Sequence, residues 1–188
     1  MTDPTRSFRK LAYNNLLAND RLHDAVAKLS GEDFEAPRTG FFPSLCATLN
    51  HILIIDWFYI DALLGGDLGP KAWANEIPFN TQGELRAAQV KSDRRLLDFC
   101  LALEAENLRE LVRIHRTGRV QIERVDDVLS HLFQHQTHHR GQAHAMLSGT
   151  SVAPPQLDEF IVADDAANRL DVMLRLGIDE TTLMMLDR

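Results

Sequence analysis

The stretch His131-Leu132-Phe133-Gln134-His135-Gln136-Thr137-His138-His139-Arg140-Gly141-Gln142-Ala143-His144 holds five of the chain's eight histidines within fourteen residues. Imidazole is the commonest protein metal ligand and titrates near neutrality, so such a density is chemically informative. Val125, Val128, Leu129, Leu132, Ala143, Met146 and Leu147 recur at helical spacing around it and form one apolar face. Asp126 or Asp127 suits the start of that helix and Gly149 its end. At ~100° per residue, His139 falls near the middle of the apolar arc and His135 ~40° from it, inside its edge. His131 and His138 fall on the flank, and His144 on the far side.

Two inward histidines at i and i+4 hold their Cβ atoms ~5–6 Å apart, a spacing that suits chelation of one metal ion. A lone inward histidine is most simply a core residue satisfied by hydrogen bonds. Burying a pair has a desolvation cost that something must offset. A third ligand would decide between the two readings.

The remaining chain supplies a candidate. A first helix is expected from Pro4 to Leu29, capped by Thr2 or Asp3, with Asn15 and Asn19 on its inward stripe. Buried amides need partners, so these asparagines either support a polar site or bond a neighbouring helix. A second helix is expected from Ser44 to Leu64, apolar nearly all round and therefore central. His51 shares its stripe with Thr48, Ile55, Phe58 and Ala62. Residues 66–80 read as a long connection and Thr81–Leu111 as a third helix with Gln89, Ser92 and Cys100 inward. Arg113–Val125 reads as an irregular or two-stranded excursion around Thr117-Gly118, and Asp165–Leu176 as a short amphipathic helix. Four long helices predict an all-α four-helix bundle, in which sites form between facing helices. His51, His135 and His139 would then make a three-histidine set.

Composition narrows the partners. The 188 residues, 45% hydrophobic, suit a domain with a sizeable core. Twenty basic against twenty-seven acidic residues give a net charge of −7, and no basic stripe is interleaved with aromatics, which argues against nucleic acid. No apolar run is expected to reach the length needed to span a bilayer, and the opening Met1-Thr2-Asp3-Pro4-Thr5-Arg6 does not read as a signal peptide. Two cysteines, Cys46 and Cys100, are too few for a disulfide scaffold, so a reducing cytoplasm is expected. Cys46 lies opposite His51 and is not a ligand; Cys100 reads as a small core hydrophobe. Trp57, Phe58 and Ile60 leave the central helix on different sides, more apolar surface than one bundle hides, and a homodimer is expected.

Three passages resemble the DinB-like (DinB/YfiT-like) metalloenzyme family. Asn15-Leu-Leu-Ala-Asn19-Asp-Arg21-Leu22 is similar to its N-x-W-x-N-x-R-L pattern, with Leu17 where tryptophan is common. Phe42-Pro-Ser44-Leu-Cys-Ala-Thr48-Leu-Asn-His51 resembles its S-x-x-x-T-L-x-H-I segment, and His131 to Gln142 resembles its H-x-x-x-H-x-x-H-H-R-G-Q signature. The resemblance implies a four-helix bundle over residues 1–163, with 164–188 as a short C-terminal helical extension. It implies His51, His135 and His139 as metal ligands, the same trio that the helical spacing selects.

Three imidazoles with an open position describe a catalytic zinc site; the donor set also suits nickel, iron or copper, and zinc or nickel is expected first, with iron compatible. Asn15, Asn19, Thr48 or His131 are candidates to orient an imidazole or hold a water. Arg140 is expected to leave the core face and pair with a carboxylate. The resemblance implies a metal-dependent thiol S-transferase or isomerase using a low-molecular-weight thiol on a small-molecule substrate. A metal-dependent hydrolase using metal-bound water, or a non-catalytic metal-binding or interaction bundle, are the alternatives. No catalytic residue beyond the ligands is singled out.

Overall fold

The structure is a computed structural model that describes residues 3–158 and 162–184. Four long helices, α1 (Arg6–Val26), α3 (Leu45–Leu63), α4 (Gln82–Leu101) and α5 (Val125–Leu147), pack as a bundle. A one-turn helix α2 (Gly31–Glu35) follows α1, and a hairpin of β1 (Leu111–Arg116) and β2 (Arg119–Arg124) leads into α5. Two short helices, α6 (Ala166–Leu176) and α7 (Glu180–Met184), complete the described chain. The helical bundle expected from the histidine-rich stretch is therefore present.

Capping chemistry sets several boundaries. Ser44 Oγ accepts from Ala47 N and starts α3; Thr81 Oγ1 accepts from Glu84 N and starts α4. At α1, Asp3 Oδ1 accepts from Thr5 N, leaving Pro4 outside the helix. Thr2, the alternative cap, lies outside the described residues. α4 stops ten residues before the expected Leu111. Glu104 and Glu106 would set negative charge at the negative end of its dipole, and Asn107 Oδ1 captures the Glu104 N–H at 2.8 Å. The chain turns there and enters the hairpin, whose tight turn at Thr117-Gly118 uses the positive φ of Gly118, 72°. The expected long connection contains a 3₁₀ turn, Gly69–Trp73.

α3 is long and apolar enough to cross a membrane by length and composition, contrary to the reading that no such run exists; yet 72% of that window is buried inside the protein. Leu45, Leu49, Ile52, Leu53, Phe58 and Ile60 are essentially sealed, which marks it as the central core helix. The surface thought to drive self-association is thus mostly covered within the chain. Phe58 packs against Tyr59 and Trp73, and Trp57 against Phe79. α6 and α7 also belong to the packed body: Val172, Met173 and Leu183 join the apolar core, and Arg175 pairs with buried Asp20 at 2.6 Å.

Through the apolar core runs a buried polar network. Asn15 and Asn19 of α1 donate to Asp93 Oδ1 of α4 at 3.0 and 2.9 Å. Gln89 Nε2 donates to Asp93 Oδ1 at 3.0 Å and to Asp56 Oδ2 of α3 at 2.7 Å. From α5, Gln136 donates to Asp56, and Arg140 donates to Asn15 and, at 3.1 Å, to Asn19. Arg140 therefore does not leave the core: it is 5% exposed, and two asparagine oxygens receive its guanidinium. Burial raises Asp56 to about 7, raises Asp93 as well, and lowers Arg140 to about 10, still a cation at neutral pH. Removing that cation while leaving the acids buried is costly. Arg140→Ala should lower stability by ~3–5 kcal/mol in urea denaturation, whereas exposed Arg95→Ala should stay within ~0.5 kcal/mol.

Candidate metal centre

His51 projects from α3, and His135 and His139 project from successive turns of α5. One ring nitrogen from each lies within 4.8 Å of the others, and His51 Nε2 stands 3.1 Å from His135 Nε2. The ring centroids are 4.3 to 5.1 Å apart. The helical spacing and the bundle thus bring together the trio picked from the sequence. Phe42, from the segment before α3, lies over them, its ring centroid 4.4 Å from His51 and 5.6 Å from His139.

The donor chemistry suits a transition metal. Burial, with mutual repulsion as the second cause, lowers His51 from the usual 6.5 to about 4 and His135 to about 3. Burial lowers His139 too, although its bond to Gln142 opposes the shift. All three are neutral at pH 7 and offer lone pairs. As a bare pair, His51 and His135 satisfy each other with a single N–H···N bond, and among the described residues His139 has a hydrogen-bond partner only at Nδ1. A tetrahedral ion with ~2.0–2.1 Å Zn–N bonds sets its nitrogens ~3.3 Å apart, close to the shortest pair here. The residues fit a three-nitrogen metal site.

His139 is the best oriented member. Its Nδ1–H donates to Gln142 Oε1 at 2.8 Å, and Gln142 Nε2 donates to His138 Nε2 at 3.1 Å. One amide thereby fixes the His139 tautomer that leaves Nε2 unprotonated. In contrast, His135 Nδ1 is buried with no hydrogen-bond partner among the described residues.

The candidate supporting residues sit elsewhere. Asn15 and Asn19 serve the core network, and Thr48 Oγ1 donates to Ser44 O at 2.8 Å. His131 is exposed, with its ring 5.1 Å from Tyr59 and 6.2 Å from His135. His144 points away and meets Pro155 O at 3.0 Å. Cys46 contacts Phe79 O and Cys100 is sealed in the core, so neither reaches the trio. The roles of Phe42 and Gln142 were missed, although both lie inside the quoted motifs. The i, i+3 spacing of His139 and Gln142 was the available signal.

Comparison with known proteins identifies the family and supports the fold. The sequence profile of the DinB family matches residues 1–170. Protein DinB of Bacillus subtilis (strain 168) is 26% identical over 152 residues, covering 77% of this chain and 88% of that protein. The crystal structure of a DinB-like protein from Bacillus cereus ATCC 10987 superposes with a TM-score of 0.57 at 15% identity, covering 74% of this chain and 89% of that one. The chain belongs to the DinB family.

The lowered imidazole values have a sign that can be checked. A histidine whose folded pKa lies below its unfolded value contributes stability above about pH 6.5, which is lost as pH falls toward about 4 for His51 and about 3 for His135. Asp56, raised to about 7, acts oppositely and contributes most at low pH. Metal-free protein should therefore lose more stability between about pH 7 and about pH 5 than its H51A/H135A/H139A variant does. An equal change in unfolding free energy between the two pH values in parent and variant, read by urea denaturation, would contradict the burial of neutral imidazoles.

Proposed function

We propose that this DinB-family chain is a metal-dependent enzyme in which His51, His135 and His139 hold one divalent transition ion, zinc or nickel foremost and iron compatible. The observation that carries the proposal is the convergence of three neutral imidazoles, with no carboxylate among them, beside a cavity of about 610 Å³ that His51 helps to line. Three protein ligands leave a coordination position for a small molecule. An ion held there would supply Lewis acidity, favouring the deprotonated form of a thiol or water at neutral pH.

The chain's own residues do the positioning. Gln142 holds the His139 ring with its lone pair toward the trio, and Phe42 shields His51 and His139 from bulk water. His138 stands beside His139 with ring centroids 4.8 Å apart, and His131 lies 6.2 Å from His135 and 5.1 Å from Tyr59, so further polar groups border the trio. Family resemblance favours a low-molecular-weight thiol as one reactant, hence a thiol S-transferase or isomerase acting on a small-molecule electrophile. Self-association and a cytoplasmic location belong to the same proposal, and light scattering at micromolar concentration reads the first.

Metal analysis of the purified protein is the direct test. His139→Ala should abolish stoichiometric metal while His144→Ala retains it; equal occupancy in the two would defeat the ligand assignment. Gln142→Ala should keep the ligands yet weaken metal affinity by ~10–100-fold. Thiol consumption with a panel of electrophiles, run beside ester and amide hydrolysis, then separates transfer from hydrolysis. Activity that survives complete metal removal would overturn the metal-dependent reading.

A further inference from the structure

The cavity beside the histidine trio has mostly apolar walls, among them Phe42, Ile54, Trp73 and Ile77, and its volume of about 610 Å³ is that of a small-molecule site. Polar groups in such a cavity are few, and they fix how a ligand lies. Here they are His51, Glu76 and Arg116. Glu76 is exposed, where water screens its charge; Arg116 is half-buried.

Arg116 is held from three sides, all by neutral groups. Its Nε donates to Gln121 Oε1 and its Nη2 to Tyr59 Oη, each at 3.1 Å. Its guanidinium carbon lies 4.7 Å above the centre of the Phe58 ring. Among the described residues, no carboxylate lies within ion-pair reach of Arg116, and its Nη1 has no hydrogen-bond partner. Arg86, Arg124 and Arg175, by comparison, each pair with an aspartate. A guanidinium fixed in place, partly dehydrated and lacking a counter-charge at an apolar cavity is built to receive an anion.

We infer that Arg116 is the anion-recognising group of this cavity, and that the substrate is a small molecule with an apolar aryl or alkyl body ending in a carboxylate. Arg116 binds Tyr59, which lies eight residues beyond His51 on the same helix, a rise of ~12 Å. The carboxylate therefore docks at the hairpin end, and the opposite end of the ligand reaches the histidines. Only the identity of the reacting end rests on the metal-centre proposal; the anion site stands on its own geometry.

The test uses phenylbutanoate and its neutral analogue phenylbutanamide, titrated calorimetrically into the metal-free full chain so that no carboxylate can bind an ion. The unmodified protein should bind the carboxylate about tenfold more tightly than the amide, the worth of one charge-assisted hydrogen bond. Arg116→Gln should abolish that preference while zinc binding and helical circular dichroism stay as in the parent. Arg116→Lys should retain part of it. Ala47→Leu, which fills the cavity from α3, should weaken both ligands. Equal affinity for the two ligands in the unmodified protein needs no variant and would overturn the inference. So would a carboxylate preference that survives in Arg116→Gln. Loss of metal binding with intact carboxylate preference would sink the metal centre and leave this site standing.

Discussion

One buried charge, the Arg140 guanidinium, organises the bundle. It sits among amide oxygens from α1, and those amides in turn bond Asp93 of α4, which Gln89 links to Asp56 of α3. All four long helices thus meet in one set of directional contacts inside an otherwise apolar core. Apolar packing alone tolerates sliding and rotation, whereas a dehydrated hydrogen-bond network fixes its members by direction; here only Gln89 Oε1 and Asp93 Oδ2 of those members have no hydrogen-bond partner among the described residues. Gln136 and Arg140 each follow a candidate ligand, His135 and His139, by one residue. A single residue turns a helix by ~100°, so one face of α5 grips the core while the next presents imidazoles to α3. The rotation of α5 that satisfies Arg140 is the rotation that aims the histidines.

The sequence carried the main outline because its strongest signals are periodic. Histidines at i and i+4 on an apolar arc, and a third on a helix apolar all round, needed only the helical repeat to be placed. The two-stranded excursion was legible because a threonine-glycine turn separates two short strand-forming runs. What escaped depends on contacts between elements. Arg140 was expected outside because nothing local announces two asparagine oxygens waiting on another helix. Asp56, a lone acid among Ile52 to Ile60, was the readable warning of a polar core, but its partners Gln89 and Gln136 come from two other helices. The end of α4 was missed because leucines at 101, 103, 108 and 111 continue an apolar pattern across a real break. Arg116 could not be found at all. Its meaning comes from the aromatic rings and the cavity around it.

Charge is distributed unevenly at the site. The chain is acidic overall, with a net charge of −7, yet the trio is neutral and the half-buried charge on its cavity is positive. Glu76 at the cavity is exposed, and other acidic groups are tied up in the core network, paired with arginines as Asp20 is, or lie at the surface. A cavity with this polarity concentrates electron-rich molecules beside the imidazoles and disfavours cations.

Although Ala47, Ile54 and Ile55 of α3 also line the cavity, much of its wall and the imidazoles come from different kinds of structure. The histidines ride on two bundle helices locked by the core network. Phe42, Trp73, Ile77 and Arg116 ride on the segment before α3, the connection after it, and the hairpin. Connections accept insertions and replacement far more readily than packed helices. The reactive core and the recognition surface can therefore diverge separately: a lineage can exchange a hairpin or lengthen a loop and acquire a new ligand without disturbing the three nitrogens. An insertion of one residue between His135 and Gln142 would instead turn every later side chain by ~100° and dismantle the centre and the core together. The scaffold is conservative where its helices interlock and permissive where its loops meet the solvent.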